Sequence, residues 1–254
     1  MSAWLDSLGI VAPAFAAGLL VLATHVPLGH EVLRRGIVFL DIAIAQIAAL
    51  GVILAALLGW DDTPWMAQAI AVGSALAGGW LLHLSEQRFA EVQEAIIGVA
   101  FVLAACVALL LVAGNPHGAE HITDLLSGQI LWVSGAELLP LAAVTVVILL
   151  LWWPASPLWR RRLFYPLFAV AITASVQLVG VYLVFSSLII PALAVRGMTR
   201  RPLLTAGMLG ALAYALGLLL SIGTDLPAGP LIVCCLVALT LLLVVARRFQ
   251  ASSL

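Results

Sequence analysis

Two polar side chains interrupt a long apolar run in the first quarter of the chain. Asp41 and Gln46 lie in the otherwise apolar segment 37–59. A carboxylate is a charged oxygen ligand suited to a divalent cation, and a glutamine amide offers a neutral oxygen. Five residues of helix turn through about 500°, so the two side chains would point about 140° apart. The pair therefore favours successive contacts with a moving cation rather than one closed site.

Each of these residues also has a structural interpretation. Asp41 could instead pair with Arg34 or Arg35 near the end of its apolar run. A third polar residue, Gln177, lies in a later apolar run and could line the same path. The alternative is that Gln177 hydrogen-bonds a neighbouring helix.

The densest polar cluster is the segment 114–124. His117 and His121 are four residues apart, as are Glu120 and Asp124, so on a helix each pair would share a face. Imidazole and carboxylate ligands suit zinc or manganese. However, a proline and a glycine beside His117 oppose a helix at that point. Direct metal contact, a solvated loop and a docking surface for a partner all stay open.

Motifs of several enzyme classes are missing from the sequence. There is no Gly-x-x-x-x-Gly-Lys-Ser/Thr phosphate loop, so the chain is predicted not to hydrolyse ATP itself. The tripeptide Gly29-His30-Glu31 lacks the second histidine of a metalloprotease motif, and no Gly-x-Ser-x-Gly elbow occurs. These absences count against an intramembrane enzyme.

The amino-acid composition indicates which kind of secondary structure must position these residues. Of 254 residues, 64% are hydrophobic and 9% are charged, and the mean hydropathy is +1.20. Soluble domains carry about 25% charged residues. A soluble enzyme, a nucleic-acid-binding domain and a disordered chain are therefore excluded. The predicted fold class is all-α, a polytopic helical membrane protein in which residues 1–254 form a single transmembrane domain.

Apolar runs separated by polar residues predict about eight full transmembrane helices and one short or re-entrant helix. The run 163–195 would extend about 50 Å as one helix, too long for one crossing and too short for two. Gly180 is the expected break. The predicted spans are 7–26, 37–59, 65–84, 95–113, 135–153, 163–180, 181–195 (the short one), 204–222 and 228–246.

The basic residues, all arginines, follow alternate spans. If each predicted span crosses the membrane once, every arginine lies on one side of the membrane. The acidic residues of the opposite loops lie on the other side. The positive-inside rule then predicts an external N-terminus and a cytoplasmic C-terminus. The arginines are Arg34, Arg35, Arg88, Arg160, Arg161, Arg162, Arg196, Arg200, Arg201, Arg247 and Arg248.

Three segments carry a family resemblance. The first runs from Pro27-Leu28-Gly29 through Arg34-Arg35-Gly36-Ile37 to Gly51, and the second joins Ala95-Ile96-Ile97-Gly98-Val99 to Leu126-Ser127-Gly128-Gln129-Ile130-Leu131. The third begins at Val179-Gly180-Val181 and contains the most specific strings, Leu188-Ile189-Ile190-Pro191-Ala192 and Asp225-Leu226-Pro227-Ala228-Gly229-Pro230. Together they resemble the permease subunits of bacterial ABC importers for zinc, manganese or iron, over nearly the whole chain.

The resemblance implies the rest of a transport system. It implies a homodimer in the bacterial cytoplasmic membrane, two cytoplasmic subunits that bind ATP, and an extracytoplasmic metal-binding protein. The transported ion would be a divalent metal, with zinc favoured and manganese next, and neither a tightly bound cofactor nor a nucleic acid is expected. Many family members place an aspartate and a histidine four residues apart in the second span. Ile42 and Gln46 occupy those positions here, with Asp41 one residue earlier.

The resemblance also places a cytoplasmic coupling helix in the segment 190–202. Pro191 is expected to break the preceding helix, and Gly197 to permit a tight turn. Three arginines of this segment would meet acidic residues of an ATPase, or would serve only as positive-inside anchors: Arg196, Arg200 and Arg201.

Two rival functions stay open. The first is a secondary transporter driven by an ion gradient, for which Asp41 is the one intramembrane acid that the sequence offers. The second is an intramembrane enzyme, which the missing motifs disfavour.

Overall fold

A computed structural model describes residues 2–60, 63–112 and 130–252, and these ranges are almost entirely α-helical, with no β-strand. The all-α prediction is therefore confirmed. The helices are α1 (Ser2–Arg35), α2 (Leu40–Leu57), α3 (Pro64–Phe89), α4 (Gln93–Val112), α5 (Gly135–Trp152), α6 (Pro157–Val179), α7 (Val181–Ala194), α8 (Pro202–Thr224) and α9 (Ala228–Ser252). Short 3-10 turns, Ala90–Val92 and Ile130–Trp132, precede α4 and α5.

Most of these helices can cross a membrane. Seven helical segments of the described ranges are long and apolar enough, and one of them, Trp65–Ala108, covers most of α3 and of α4. With 14 residues, α7 would extend about 21 Å, which is short of a ~30 Å hydrocarbon core. Gly180 separates α6 from α7 with φ of 81°, a backbone conformation that glycine adopts readily. The predicted break and the short helix are both confirmed.

The first helix is longer than predicted. Its span was expected to end at residue 26, but α1 continues past Pro27 to Arg35. Val26 and Leu28 are both buried, so packing holds the helix on either side of the proline. Neighbouring helices compensate in this way for the hydrogen bond that a proline removes.

One hydrophobic core draws on every described helix. Within it, α1 packs against α5, α6, α7 and α8, whereas α2 packs against α3, α4 and α6. Glycines allow the closest approaches: a Cβ added at Gly29 would overlap the carbonyl oxygen of Leu188 in α7, and one at Gly217 would lie 2.6 Å from Cα of Ile232 in α9. Small residues permit such contacts between membrane helices.

Arginine-bearing helix ends meet at one end of the bundle, which we call the arginine end. Arg35 of α1 lies 3.5 Å from the Glu86 carboxylate of α3 and 4.3 Å from the ring centroid of Phe164 in α6. At the same end, Arg247 of α9 donates to the carbonyl oxygen of Ala194, the last residue of α7 (3.3 Å). Alternate helix ends therefore carry the positive charge, in the pattern expected from the sequence.

Candidate functional site

Asp41 lies in the first turn of α2, at the arginine end. Its side chain is 1% exposed, and within the described chain its Oδ1 atom has no hydrogen-bond partner. The residue before the helix, Phe39, offers no capping side chain, so no side chain of that residue satisfies the free backbone N–H groups of the first turn. The positive end of the helix dipole favours a negative charge there.

A second carboxylate, Glu94, contacts the backbone two residues before Asp41. Glu94 is in the first turn of α4, and its Oε1 accepts the backbone N–H of Phe39 at 3.1 Å. Its Oε2 atom is buried and has no partner among the described residues, and the negative charge of Glu94 acts on Asp41. Two carboxylates with free oxygens therefore meet where α2 and α4 begin. Glu94 was not among the site residues predicted from the sequence, although a carboxylate directly before the apolar run 95–113 was a usable signal.

The alternative pairing of Asp41 with Arg34 or Arg35 is wrong. Both arginines donate to Oε1 of Glu31, at 2.7 Å from Arg34 Nη2 and 2.8 Å from Arg35 Nε. Spacings of three and four residues place all three side chains on one face of α1. Asp41 is consequently left without a basic partner in the described chain.

The other two residues of the predicted path lie at the surface of the protomer. Gln46 is half-buried, one helical turn beyond Ile42, which lines an apolar groove between α2 and α4. Gln177 is exposed, two residues before α6 ends. No hydrogen bond among the described residues joins either glutamine to Asp41. The three side chains therefore do not form one binding site.

The four predicted ligands of the segment 114–124 lie outside the described residues: His117, Glu120, His121 and Asp124. In the ranges that are described, no group of three histidine, cysteine, aspartate or glutamate side chains is placed to hold a metal ion. A closed metal centre is therefore not part of the described bundle.

The segment 190–202 differs from its prediction in two respects. Pro191 does not break the helix, because α7 continues through it to Ala194 and buries it. The prediction of a separate coupling helix in this segment is also wrong, since residues 195–201 form turns and irregular backbone. Gly197 does permit a tight turn: its φ is 76°, and the N–H of Met198 donates to Val195 O at 2.9 Å.

The three arginines of this segment are all exposed to solvent or membrane. None of them has an ion-pair partner in the described part of the chain, and so all remain available to a partner: Arg196, Arg200 and Arg201.

Comparison with known proteins identifies relatives of the whole bundle. The model of the ABC 3 transport family matches residues 7–160 and 156–247. A protein of Haemophilus influenzae described as a "Probable iron transport system membrane protein" is 27% identical over 199 residues, which are 70% of this chain and 68% of that protein.

Two solved structures share the fold. PsaBC from Streptococcus pneumoniae, in complex with a Fab, matches with a TM-score of 0.76 and 19% identity, covering 95% of this chain and 94% of that one. A transporter described as of the metal-chelate ABC type, in an inward-facing conformation, matches with a TM-score of 0.64 and 19% identity over 92% and 85% of the two chains. Because the family model covers nearly the whole chain, the protein belongs to the ABC 3 transport family and is a multi-pass transport subunit of the ABC class.

Proposed function

We propose that this chain is the permease subunit of an ABC importer that carries a divalent metal ion, with zinc favoured and manganese next. The observation that carries the proposal is a pair of carboxylates, Asp41 and Glu94, each with an unpartnered buried oxygen between membrane helices. Intramembrane acids are costly and mark ion pathways. The names of the relatives, which mention iron transport and metal-chelate transport, agree with a metal cargo and keep iron as a third candidate.

In this proposal, Asp41 and Gln46 offer transient oxygen contacts, and Gln177 lines the path further along. A weak, exchangeable site suits conduction, because a closed tetrahedral zinc site would retain the ion. Asp41 is buried within the protomer, so an ion reaches it only when the starts of α2 and α4 separate. Gln46 and Gln177 lie on faces that a second copy of the chain would cover in a homodimer. In each copy, residues 1–254 form one transmembrane domain.

The arginine end faces the cytoplasm in this arrangement, by the positive-inside rule. The N-terminus is then external, the C-terminus is cytoplasmic, and the membrane is the bacterial cytoplasmic membrane. Separate ATPase subunits bind ATP and dock near the turn at Gly197. The segment that contains His117 and His121 faces outward, where it meets an extracytoplasmic metal-binding protein or the metal itself.

The proposal is tested by metal uptake into vesicles. Vesicles that contain this chain, its ATPase and its binding protein, loaded with ATP and without an ion gradient, should take up zinc in preference to manganese and iron. Uptake that requires a proton or sodium gradient instead would establish the secondary transporter. Turnover of a covalent substrate by the purified chain alone would establish the intramembrane enzyme.

Neutralising Asp41 should abolish most of this uptake. We expect Asp41→Asn to lower the initial rate at least about tenfold, because loss of one charged ligand weakens a contact worth more than ~1.4 kcal/mol. Glu137→Gln is the matched control, since Glu137 only caps α5 through Ser134 (2.7 and 2.8 Å). Equal rates for Asp41→Asn and the parent, in complexes that assemble normally, would remove Asp41 from the path.

The turn at Gly197 should determine how tightly ATP hydrolysis is coupled to uptake. Gly197→Ala forces a residue with a Cβ into a left-handed conformation, at a cost of about 1–2 kcal/mol, although nothing lies within 4 Å of the added atom. We expect fewer ions imported per ATP hydrolysed, and a melting temperature lower by a few degrees. Gly73→Ala, which also has nothing within 4 Å, is the control. An unchanged ratio of uptake to hydrolysis would exclude the turn from coupling.

A further inference from the structure

An open groove of about 660 Å³ runs between α1 and α8 and ends beside the loop after α5. Apolar side chains of α1 and the first two turns of α8 form its walls, and Gly207 forms part of its floor. Only one lining side chain carries a charge, namely Arg201 at the mouth. The groove therefore has a long apolar section and a single cationic end.

The apolar section lies at membrane depth. Its α1 wall extends from Leu19 to Pro27, about 12 Å along the helix axis, and all of it belongs to the membrane-spanning part of α1, Val11–Arg35. A groove in this position is open to lipid chains, whereas a soluble partner would have to enter the hydrocarbon region to fill it. The occupant that the walls fit is an acyl chain.

The mouth of the groove is built for an anion. α8 begins with Pro202, has no capping side chain and has no acidic residue in its first turn. Its first backbone hydrogen bond runs from Thr205 N–H to Arg201 O (3.1 Å), so helix geometry leaves the N–H groups of Leu203 and Leu204 without intrahelical acceptors. Free N–H groups and the positive end of the helix dipole favour a phosphate, and a guanidinium strengthens that preference.

Trp153 places this mouth at the lipid headgroups, and Arg201 adds a second feature. Trp153, which is 63% exposed, lines the groove beside Arg201, and tryptophans concentrate at membrane interfaces. Arg201 itself has φ of 48° and ψ of 50°, a left-handed conformation that costs a non-glycine residue about 1–2 kcal/mol. Strain of this kind persists where the surrounding structure requires it and concentrates at binding sites.

We propose that this groove binds an anionic phospholipid, with one acyl chain between α1 and α8 and the phosphate at Arg201 and the start of α8. A net negative headgroup is preferred because Arg201 has no acidic partner among the described residues. The site is independent of the metal path, since none of Asp41, Gln46 and Glu94 lines the groove. Of the three arginines in the segment 190–202, only Arg201 lines the groove, whereas Arg196 and Arg200 do not.

Native mass spectrometry of the full-length protein tests the site. Protein in mild detergent is mixed with equal amounts of phosphatidylglycerol and phosphatidylcholine that carry the same acyl chains. We expect the parent protein to retain the anionic lipid about tenfold better, as one charge-assisted contact predicts. Arg201→Gln should abolish that preference, and Arg200→Gln, its neighbour outside the groove, should keep it.

A second variant addresses the acyl chain. Gly207→Phe places a ring in the groove, and nothing lies within 4 Å of a Cβ at this position. It should reduce retention of both lipids and leave the melting temperature unchanged; Gly207→Leu serves if the phenylalanine variant does not fold.

Four results would overturn the proposal. They are equal retention of the two lipids by the parent protein, an unchanged preference in Arg201→Gln, full lipid retention in a folded Gly207→Phe, and displacement of the lipid by millimolar inorganic phosphate. If both variants keep the lipid but no longer co-purify with the ATPase subunit, the groove is a protein-docking site instead.

Discussion

Arg35→Gln should lower the free energy of unfolding by about 3 kcal/mol, as expected when one partner of a buried ion pair is removed. Only 10% of the Arg35 side chain is exposed, and it contacts three groups: Glu31 at 2.8 Å, Glu86 at 3.5 Å and the ring of Phe164 at 4.3 Å. Its loss leaves Glu86 of α3 without an arginine partner in the described chain, and Glu31 of α1 with only the exposed Arg34. We expect the loss of stability to appear first as separation of these helices at the arginine end.

Arg34 supplies a matched control one residue away. It binds the same Glu31 oxygen at 2.7 Å, but its side chain is 70% exposed. Exposed ion pairs contribute less than about 1 kcal/mol, so Arg34→Gln should shift the unfolding midpoint little. Unfolding of both variants in detergent, followed by circular dichroism, measures the difference. Equal shifts for the two variants would show that burial does not distinguish the two pairs.

Glycine-to-alanine changes at the helix contacts should be the second most damaging substitutions. At Gly217, a Cβ would lie 2.6 Å from Cα of Ile232 and 2.7 Å from its backbone nitrogen. At Gly29, it would overlap the carbonyl oxygen of Leu188. Backbone atoms cannot move aside by a rotamer change, so α8 and α9, or α1 and α7, must separate. Overpacking of this kind costs about 1–3 kcal/mol, and sometimes more.

The same helix offers the control for this prediction. Gly207 of α8 has nothing within 4 Å of an added Cβ, and alanine is a better helix former than glycine by up to about 1 kcal/mol. Gly207→Ala should therefore keep or raise the melting temperature, while Gly217→Ala lowers it by several degrees. Melting temperatures of Gly217→Ala and Gly29→Ala that match the parent would contradict the helix spacing described above.

Local signals sufficed for much of the fold. The lengths of the apolar runs predicted the helices that cross the membrane. A single glycine, Gly180, predicted the start of the short helix α7, because one residue is enough to change the backbone direction. Proline was the misleading local signal. Pro191 was expected to break its helix but lies inside a continuous one, since tertiary packing around a proline outweighs the one hydrogen bond that it removes.

The candidate site was predictable only in part. The buried Asp41 was found from its type and position, but its neighbour Glu94 was not, because the contact with Phe39 joins residues 55 positions apart. The pairing of Glu31 with Arg34 and Arg35 was readable from spacings of three and four residues. The groove at Arg201 was not readable, since it forms only where residues 19–27 meet residues 201–207 in space.

The contact between Gly29 and Leu188 has a mechanical consequence. Each residue lies six positions before the end of its helix, and the backbones touch there without intervening side chains. Close backbone contact of this kind resists sliding and rolling, so we expect α1 and α7 to move together. A displacement of the turn at Gly197 should then reach Arg35 and, through its ion pair with Glu86, α3.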